Sequence, residues 1–237
     1  MTKRHTTILA FSLLALPFFT VGRQLVSQAA QRVDTKIKKM NKHELNMDLA
    51  DERLATKFKQ AGVHYPPIHT TLVFFKDSKE LLLYAGSTED GQKLIHRYPV
   101  LAASGGIGPK LKEGDEQVPE GLYRIVLLNP KSSYHLSLRV NYPNETDREH
   151  AVKEKRTRLG GDIMIHGEAV SIGCIAIGNV AIEEVYRLAE KTDFKKWSVL
   201  LSPVDFRTKK LPANYKPTPP WMADVYRRLE ARLRTLP

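Results

Sequence analysis

The residues best suited to chemistry are Cys174, the only cysteine in 237 residues, and His166, which precedes it by eight positions. A thiol attacks a carbonyl efficiently only as the thiolate, so it needs a neighbouring base, and imidazole has a suitable proton affinity near neutral pH. We therefore predict that Cys174 is a nucleophile and that His166 is its general base and acid. A lone cysteine or histidine is more often a structural residue, and other histidines such as His96 and His135 have no obvious role.

Two glycines and a serine surround this pair. Gly173 permits backbone conformations that other residues avoid, so the amides of Gly173 and Cys174 could face the oxyanion of a tetrahedral intermediate. Gly167 leaves a carbonyl that could orient the imidazole of His166, a task that papain-type enzymes give to an asparagine. We expect Ser171 to hold the turn together through its hydroxyl group.

The amino terminus has the pattern of an export signal. A basic head at residues 3–5 precedes an uncharged apolar run at 6–22, and Ser27 and Ala29 occupy positions that a signal peptidase reads, which predicts a signal at 1–29. An uncleaved N-terminal anchor is the alternative. We expect an exported protein of the periplasm or cell envelope, where a single cysteine is an inert thiol, an intermolecular bridge or a reactive group.

The composition is that of a folded, basic protein. Hydrophobic residues make up 42% and charged residues 27% of the chain, enough for one substantial core with flanking segments. The formal net charge of +11 favours contact with polyanions, such as a membrane surface in a peripheral contact, a wall polymer or nucleic acid. Export and the lack of a nucleic-acid-binding motif argue against nucleic acid. No metal-ligand spacing such as HExxH occurs, so we expect no metal and no cofactor.

Short segments rich in leucine, β-branched and aromatic residues dominate the middle of the chain, with turn residues between them. These predicted strands are residues 70–75, 80–84, 93–103, 122–128, 134–140, 162–165 and 197–201. Their close spacing favours antiparallel pairing and a mainly β fold with flanking helices, in a sandwich or barrel-like domain. Residues 104–119 are typical of a long flexible loop bordering a cleft. Helical periodicity occurs at 31–61, at 179–191 with Asn179 as N-cap, and at 221–236.

The region around the Cys–His pair resembles the YkuD-type L,D-transpeptidase catalytic domain. His166 and Gly167, followed by SIGCI at residues 171–175, are similar to the HG and SxGC motifs of that family. The resemblance extends over residues 69–203 and implies a YkuD-type β-sandwich or barrel-like catalytic domain. The chain then divides into four segments: a signal or anchor at 1–29, a helical segment at 30–68, the catalytic domain at 69–203, and a Pro-rich linker with a C-terminal helix at 204–237.

Two further segments carry the resemblance. VPEGLY at residues 118–123 resembles the TP-x-G-x-[FY] segment of the family, with valine in place of the usual threonine. NYPNETDR at 141–148 is similar to the YPN-x-x-DR stretch of the YafK-like branch. Here Arg148 could pair with a substrate carboxylate, because a forked guanidinium suits that group, and Tyr142 could line the same cleft. A loop salt bridge for the first and simple packing for the second are the alternatives.

The resemblance implies acyl transfer on peptidoglycan peptide stems. Cys174 would attack the carbonyl of the L-centre residue of a tetrapeptide stem and release the terminal D-alanine, and an amine would resolve the thioester. Most family members have arginine two positions after the cysteine, whereas this chain has Ala176, as do YafK-like members. That branch is associated with detaching a lipoprotein from peptidoglycan, so a hydrolase or amidase that uses the same site is the first alternative.

Two other classes of function are open. A non-catalytic cell-wall-binding module could hold an anionic polymer through its positive charge. A secreted cysteine protease is disfavoured, because a papain-like arrangement places the cysteine near the mature N-terminus and the histidine far downstream.

Overall fold

The computed structural model describes residues 26–28, 31 and 42–237. The export signal predicted at residues 1–29 lies outside the described residues except for 26–28. Within the described residues, no helix is both long and apolar enough to cross a membrane. Residues 46–237 form one compact unit, which contains every residue of the predicted site.

Ten strands and four α-helices make up the described part from residue 42 onward. The strands are β1 (His69–Phe75), β2 (Glu80–Gly86), β3 (Lys93–Pro99), β4 (Ala102–Ala103), β5 (Gly121–Tyr123), β6 (Ile125–Ser132), β7 (His135–Val140), β8 (Met164–His166), β9 (Ile175–Ala176) and β10 (Ser198–Ser202). The helices are α1 (Lys42–Ala61), α2 (Glu145–Lys153), α3 (Asn179–Glu190) and α4 (Met222–Leu233), with a 3₁₀ helix at Phe194–Lys196. The expectation of a mainly β fold with flanking helices is confirmed.

The strands form two five-stranded sheets. The first sheet has the order β3-β2-β1-β10-β5, and the second has the order β4-β9-β8-β7-β6. Most neighbours are antiparallel, as expected, but β1 pairs with β10 and β8 pairs with β9 in parallel. The β8–β9 pair sets the site, because its register aligns Ile165 with Ile175 and His166 with Ala176.

The first sheet is buried on both faces. Alternate side chains of β1, such as Leu72 and Phe74, belong to the main core with residues of the second sheet. The intervening residues Val73 and Phe75 belong to a second apolar cluster, which α4 covers with side chains such as Leu229. Burial on both faces explains why these strands read as continuous apolar runs rather than as alternating patterns.

The predicted N-terminal periodicity corresponds, within the described residues, to the single helix α1. Its apolar positions follow helical spacing, and Leu54 and Phe58 are fully buried in the main core. On another part of its surface, Arg53 pairs with Glu183 and Glu184 of α3. α1 is therefore packed on the β-rich core.

Two of the predicted strands are each divided between the sheets. Residues 93–103 form β3 in the first sheet and β4 in the second, with a break after Pro99. Residues 122–128 divide into β5 and β6 at Arg124, whose amide donates to the side chain of Asn141 at 2.8 Å instead of to a strand. Each division lets one apolar run contribute to both sheets.

No helix is predicted from the sequence at α2, yet its start carries a recognisable signal. The Asn144 side chain accepts a hydrogen bond from the Asp147 amide, and the Asp147 carboxylate accepts one from the Asn144 amide. This reciprocal capping box satisfies two amides that the first helical turn leaves unpaired.

Candidate active site

His166 ends β8 and is 2% exposed. Its Nδ1 lies 2.6 Å from the carbonyl oxygen of Gly167, and a carbonyl can only accept, so Nδ1 carries the proton. In the neutral imidazole, Nε2 is then unprotonated and able to accept a proton. Burial lowers the pKa of His166 below its ordinary value, which favours this neutral form.

Glycine is required at position 167, because there is no space there for a side chain. A Cβ atom there would lie 2.5 Å from Oδ1 of Asn179 and 2.7 Å from the carbonyl oxygen of Tyr134. The Gly167 amide donates to the carbonyls of Tyr134 and Leu136 at 3.1 and 3.2 Å. The backbone after His166 is thus held by hydrogen bonds, and the Gly167 carbonyl oxygen lies within hydrogen-bonding distance of Nδ1 of His166.

Cys174 lies directly before β9 and is half-buried. The amide of Met164 donates to its Sγ at 3.4 Å, and Sγ lies 3.7 Å from the carbonyl oxygen of Asp162. Burial raises the pKa of the Cys174 thiol, so the resting group is a neutral thiol at neutral pH.

The Ser171 hydroxyl organises the turn that carries the cysteine. It donates to the Cys174 carbonyl at 2.7 Å and accepts from the amides of Gly173 and Cys174 at 3.3 and 3.1 Å. Gly173 has a φ of +116°, a left-handed conformation that favours glycine. An oxyanion would have to compete with this hydroxyl for the two amides, so the structure shows a turn-stabilising role for Ser171 and no free oxyanion donors at Gly173 or Cys174.

His166 and Cys174 line the same cleft, which has a volume of about 690 Å³. Its described lining also includes Tyr134, Ile172 and Lys110. The Tyr134 ring lies 4.7 Å from the His166 ring, centroid to centroid, at an interplanar angle of 36°. No group of three or more histidine, cysteine or acidic side chains suited to a metal occurs in the part of the chain that the structure describes.

Tyr142 and Arg148 are not among the described residues that line this cleft. Tyr142 is 5% exposed, and its hydroxyl donates to the carbonyls of Lys110 and Leu159 at 3.1 and 3.2 Å. We therefore assign Tyr142 a structural role in place of the substrate contact predicted from the sequence. Arg148 is exposed on α2, and the structure gives no support for its predicted pairing with a substrate carboxylate.

The segment at residues 104–119 borders the cleft and is held by buried charges. The Lys110 ammonium pairs with Asp115 at 2.6 Å, and the Asp115 carboxylate also accepts three backbone amides. The buried Lys76 ammonium donates to two carbonyls of the segment at 2.9 Å and pairs with Glu120 at 3.0 Å. These contacts give the segment a defined path along the cleft, which its residues Lys110, Glu113, Gly114 and Glu116 line.

Asn179 supports the same wall of the site. The N-cap of α3 is Gly178, so the prediction that Asn179 caps this helix is wrong. Its side chain instead accepts from the Glu168 amide at 2.8 Å and donates to the Glu168 carboxylate at 3.1 Å. Asn179 therefore holds the chain immediately after His166 and Gly167.

Sequence reasoning missed Tyr134 and Lys110 as cleft residues. Tyr134 precedes β7, whose neighbour in the sheet is β8, and Ser137 of β7 pairs with His166. From the sequence, one can expect that the strand next to β8 brings one of its ends close to His166. The sequence does not indicate that this neighbouring strand is β7, because only the folded structure gives the strand order.

This fold and this cleft define a β-rich domain with a histidine at the end of one strand and a cysteine directly before the parallel neighbouring strand. The model of the YkuD L,D-transpeptidase catalytic domain matches residues 70–205, more than half of the chain. The chain belongs to this L,D-transpeptidase catalytic-domain family.

Among curated proteins, the chain is 38% identical over 115 residues to the "Putative L,D-transpeptidase YafK" of Escherichia coli strain K12, and equally to that of Escherichia coli O157:H7. Each match covers 48% of this chain and 44% of the relative. The matched region therefore spans less than half the length of these curated relatives.

Solved structures of similar proteins include the helical cell shape determining protein Pgp2 from Campylobacter jejuni. That similarity has 24% identity and a TM-score of 0.47, and it covers 64% of this chain and 52% of Pgp2. Bdellovibrio bacteriovorus Bd1075 has 18% identity and a TM-score of 0.43, over 72% of this chain and 55% of Bd1075.

Proposed function

We propose that this chain is a cysteine acyltransferase acting on peptidoglycan peptide stems, with Cys174 as nucleophile and His166 as general base and acid. The observation that carries the proposal is one cleft that holds a half-buried thiol and an imidazole whose Nδ1 proton is bound to the Gly167 carbonyl. Membership of the L,D-transpeptidase catalytic-domain family supports the class of reaction.

The charge state of the pair indicates how the first step proceeds. Burial lowers the pKa of His166 and raises the pKa of Cys174, so both groups are neutral at rest. The thiol proton then moves to Nε2 of His166 as Sγ attacks the carbonyl carbon, rather than beforehand. The Met164 amide, 3.4 Å from Sγ, would stabilise the charge that develops on sulfur.

The remaining steps use the proton that His166 has accepted from Cys174. When the tetrahedral intermediate collapses, the carbon–nitrogen bond breaks, and the imidazolium gives its proton to the departing amine, which leaves a thioester on Cys174. An incoming amine then loses a proton to His166 and attacks the thioester, and the thiol recovers its proton as it leaves.

Hydrolysis is the second candidate outcome, and Ala176 is the observation that favours it. Ala176 is fully buried on β9, paired with Ala102 on one side and His166 on the other. The arginine that most family members carry at this position is absent, so the substrate contact that its guanidinium would make is missing, as in YafK-like members. Water could then resolve the thioester, and the chain would detach a wall-linked lipoprotein or trim stems, as proposed for a YafK-like hydrolase.

The proposed substrate class determines where the protein must be located. Peptidoglycan lies outside the cytoplasmic membrane, so the proposal requires export, for which residues 1–29 carry the predicted signal. An N-terminal anchor or a peripheral membrane contact would place the enzyme at the same site of action.

The experiment is incubation of the purified chain with defined muropeptides that carry tetrapeptide stems, followed by mass analysis of the products. Cross-linked dimers would show transpeptidation, shortened stems would show hydrolysis, and a lipoprotein-linked stem offered in parallel would report detachment. Cys174→Ala and His166→Ala should each abolish turnover while the circular dichroism spectrum is unchanged. His64→Ala is the matched control, because His64 is exposed and does not line the cleft.

Turnover at the wild-type rate by Cys174→Ala would reject the proposal. A wall-binding module would be the better account if wild type and Cys174→Ala both bound the muropeptides and neither changed their mass.

A further inference from the structure

His135 lies at the turn into β7, beside the cleft, in a backbone conformation that needs an explanation. Its φ is +72°, a left-handed value that is unfavourable for a residue with a side chain such as histidine. Its Nε2 lies 2.9 Å from Oε1 of Glu183 on α3, a residue 48 positions away. A side-chain contact between distant segments therefore accompanies the unfavourable backbone.

Glu183 is itself held firmly. It is 6% exposed, and its carboxylate accepts from the Asn46 side chain at 2.8 Å and from the Arg53 guanidinium at 3.4 Å, both on α1. A buried carboxylate with several donors has little freedom to move. His135 therefore contacts a carboxylate that contacts between α1 and α3 hold in place.

The same turn contacts His166 and Gly167 on its other side. The Tyr134 ring lies 4.7 Å from the imidazole, and the Tyr134 carbonyl accepts the Gly167 amide at 3.1 Å. The Cβ of His135 lies 3.1 Å from where a Cβ on Gly167 would be. Any shift of the turn would move both the aromatic wall of the imidazole and the backbone whose carbonyl sets its tautomer.

We propose that the His135–Glu183 pair is a positioning device for His166. The pair holds residues 134–135 in place, so that the Tyr134 ring covers the imidazole and the Gly167 carbonyl keeps Nδ1 protonated. His135 and Glu183 are positioning residues, because they act through Tyr134 and Gly167 and do not line the cleft. The catalytic consequence depends on the proposed function, whereas the effect on the imidazole does not.

The proposal predicts a change in the environment of His166. Burial lowers the pKa of His166, and the Tyr134 ring supplies part of that burial. Glu168 after β8 acts on the imidazole electrostatically, and the other charged or titratable side chains that line the same cleft are Lys110, Glu113, Glu116, Asp162 and Cys174. Release of the turn should admit water and raise the pKa of His166 towards its ordinary value, while these groups are unchanged.

The test is an NMR titration of the His166 ring protons in the full chain. In His135→Asn, a residue that tolerates the left-handed conformation replaces the histidine, so the backbone preference is kept and the contact with Glu183 is lost. We expect the His166 pKa to rise by about 0.5 to 1 unit. With muropeptide substrate, kcat should fall roughly tenfold while KM changes by less than about twofold.

Two further variants separate positioning from general destabilisation. Glu183→Gln keeps an oxygen that can accept from His135, so its His166 pKa should lie closer to wild type than that of His135→Asn. His96→Asn is the matched control, because His96 lies on β3 in the first sheet, where its ring meets the Tyr98 ring edge-on at 4.7 Å. A His166 pKa within about 0.2 unit of wild type in folded His135→Asn would overturn the proposal.

The titration also separates this proposal from the proposed function. If no muropeptide is turned over by wild type, the assigned reaction fails while the shift in His166 pKa can still be observed. If turnover is present and the shift is absent, the reaction stands and the positioning role fails.

Discussion

Strands β1 and β2 of the first sheet and strands β8 and β9 of the second sheet are built in opposite ways. In the first sheet, β1 and β2 have seven residues each, and every residue after the first is buried. In the second sheet, β8 has three residues and β9 has two, and the chain beside them turns through left-handed residues. These residues, which flank the cleft, are His135, Asp162, Glu168 and Gly173.

The difference shows how the molecule separates stability from chemistry. Long strands covered on both faces bury much apolar surface, and that burial is the main favourable contribution to folding. Short strands leave their ends free to turn, which brings His166 and Cys174 to one cleft at the cost of strained backbone. Burial of apolar side chains in the first sheet therefore offsets the free-energy cost of the strained backbone beside β8 and β9.

The largest stability effect should come from a cavity in the first sheet. Leu83→Ala removes a fully buried side chain of β2 and should lower the free energy of unfolding by roughly 2 to 5 kcal/mol. Leu127→Ala is the matched control in the second sheet, because Leu127 is 41% exposed and its truncation should cost less than about 0.5 kcal/mol. Urea unfolding of both variants measures the two values.

Folded Leu83→Ala should label at Cys174 as fast as wild type. A Leu127→Ala variant that lost as much stability as Leu83→Ala would contradict the claim that buried apolar side chains are the main source of stability.

A smaller, pH-dependent effect on stability should come from Asp147, and it should not change the reactivity of Cys174. Burial raises the pKa of Asp147 to about 6 from 3.8, although the Asn144 amide and the Tyr123 hydroxyl both donate to it. As the pH rises from about 4 to 6, the unfolded chain releases this proton first, so the Asp147 contribution to stability falls by roughly 2 to 3 kcal/mol and is constant above pH 6.

Asp147→Asn has no such proton and keeps an oxygen acceptor for the Asn144 amide. The difference in unfolding free energy between wild type and this variant should therefore shift in favour of the variant over that pH interval, as measured by urea unfolding. A difference that is independent of pH would contradict a raised pKa at Asp147.

The smallest of these effects concerns the reactivity of Cys174, which lies beside the second sheet. Because burial raises the pKa of Cys174, alkylation by iodoacetamide at neutral pH should depend on His166 as the proton acceptor. His166→Ala should lower the labelling rate roughly tenfold, and the two rates should converge as the pH passes the thiol pKa. Equal rates at neutral pH would mean that the imidazole does not assist the thiol.

The comparison also explains what could be predicted from the sequence. The strands of the first sheet were readable because burial on both faces makes each one a run of apolar residues, as in TTLVFF. His166 and Cys174 stood out because thiol and imidazole are the side chains that acyl transfer requires. The divided strands were less readable, since the break at Arg124 depends on a hydrogen bond to Asn141.

Contacts between distant segments could not be read from the sequence. Tyr134 meets His166 only through the β7–β8 pairing, and His135 meets Glu183 only because α3 packs beside β7. The sequence around Tyr142 predicts a cleft residue, whereas its burial and its two carbonyl partners are properties of the folded chain. The sequence pattern therefore points to His166 and Cys174, which line one cleft, but it does not indicate the residues that support them.

The central claim is that the Cys174 thiol forms an acyl intermediate with assistance from His166. The most direct measurement is the intact mass of the protein, quenched in acid shortly after mixing with a tetrapeptide muropeptide. The account predicts a covalent adduct with the mass of the stem minus its terminal residue, mapped to Cys174 and absent from Cys174→Ala. Product formation by wild type with no adduct under rapid quench, together with undiminished turnover by Cys174→Ala, would contradict it.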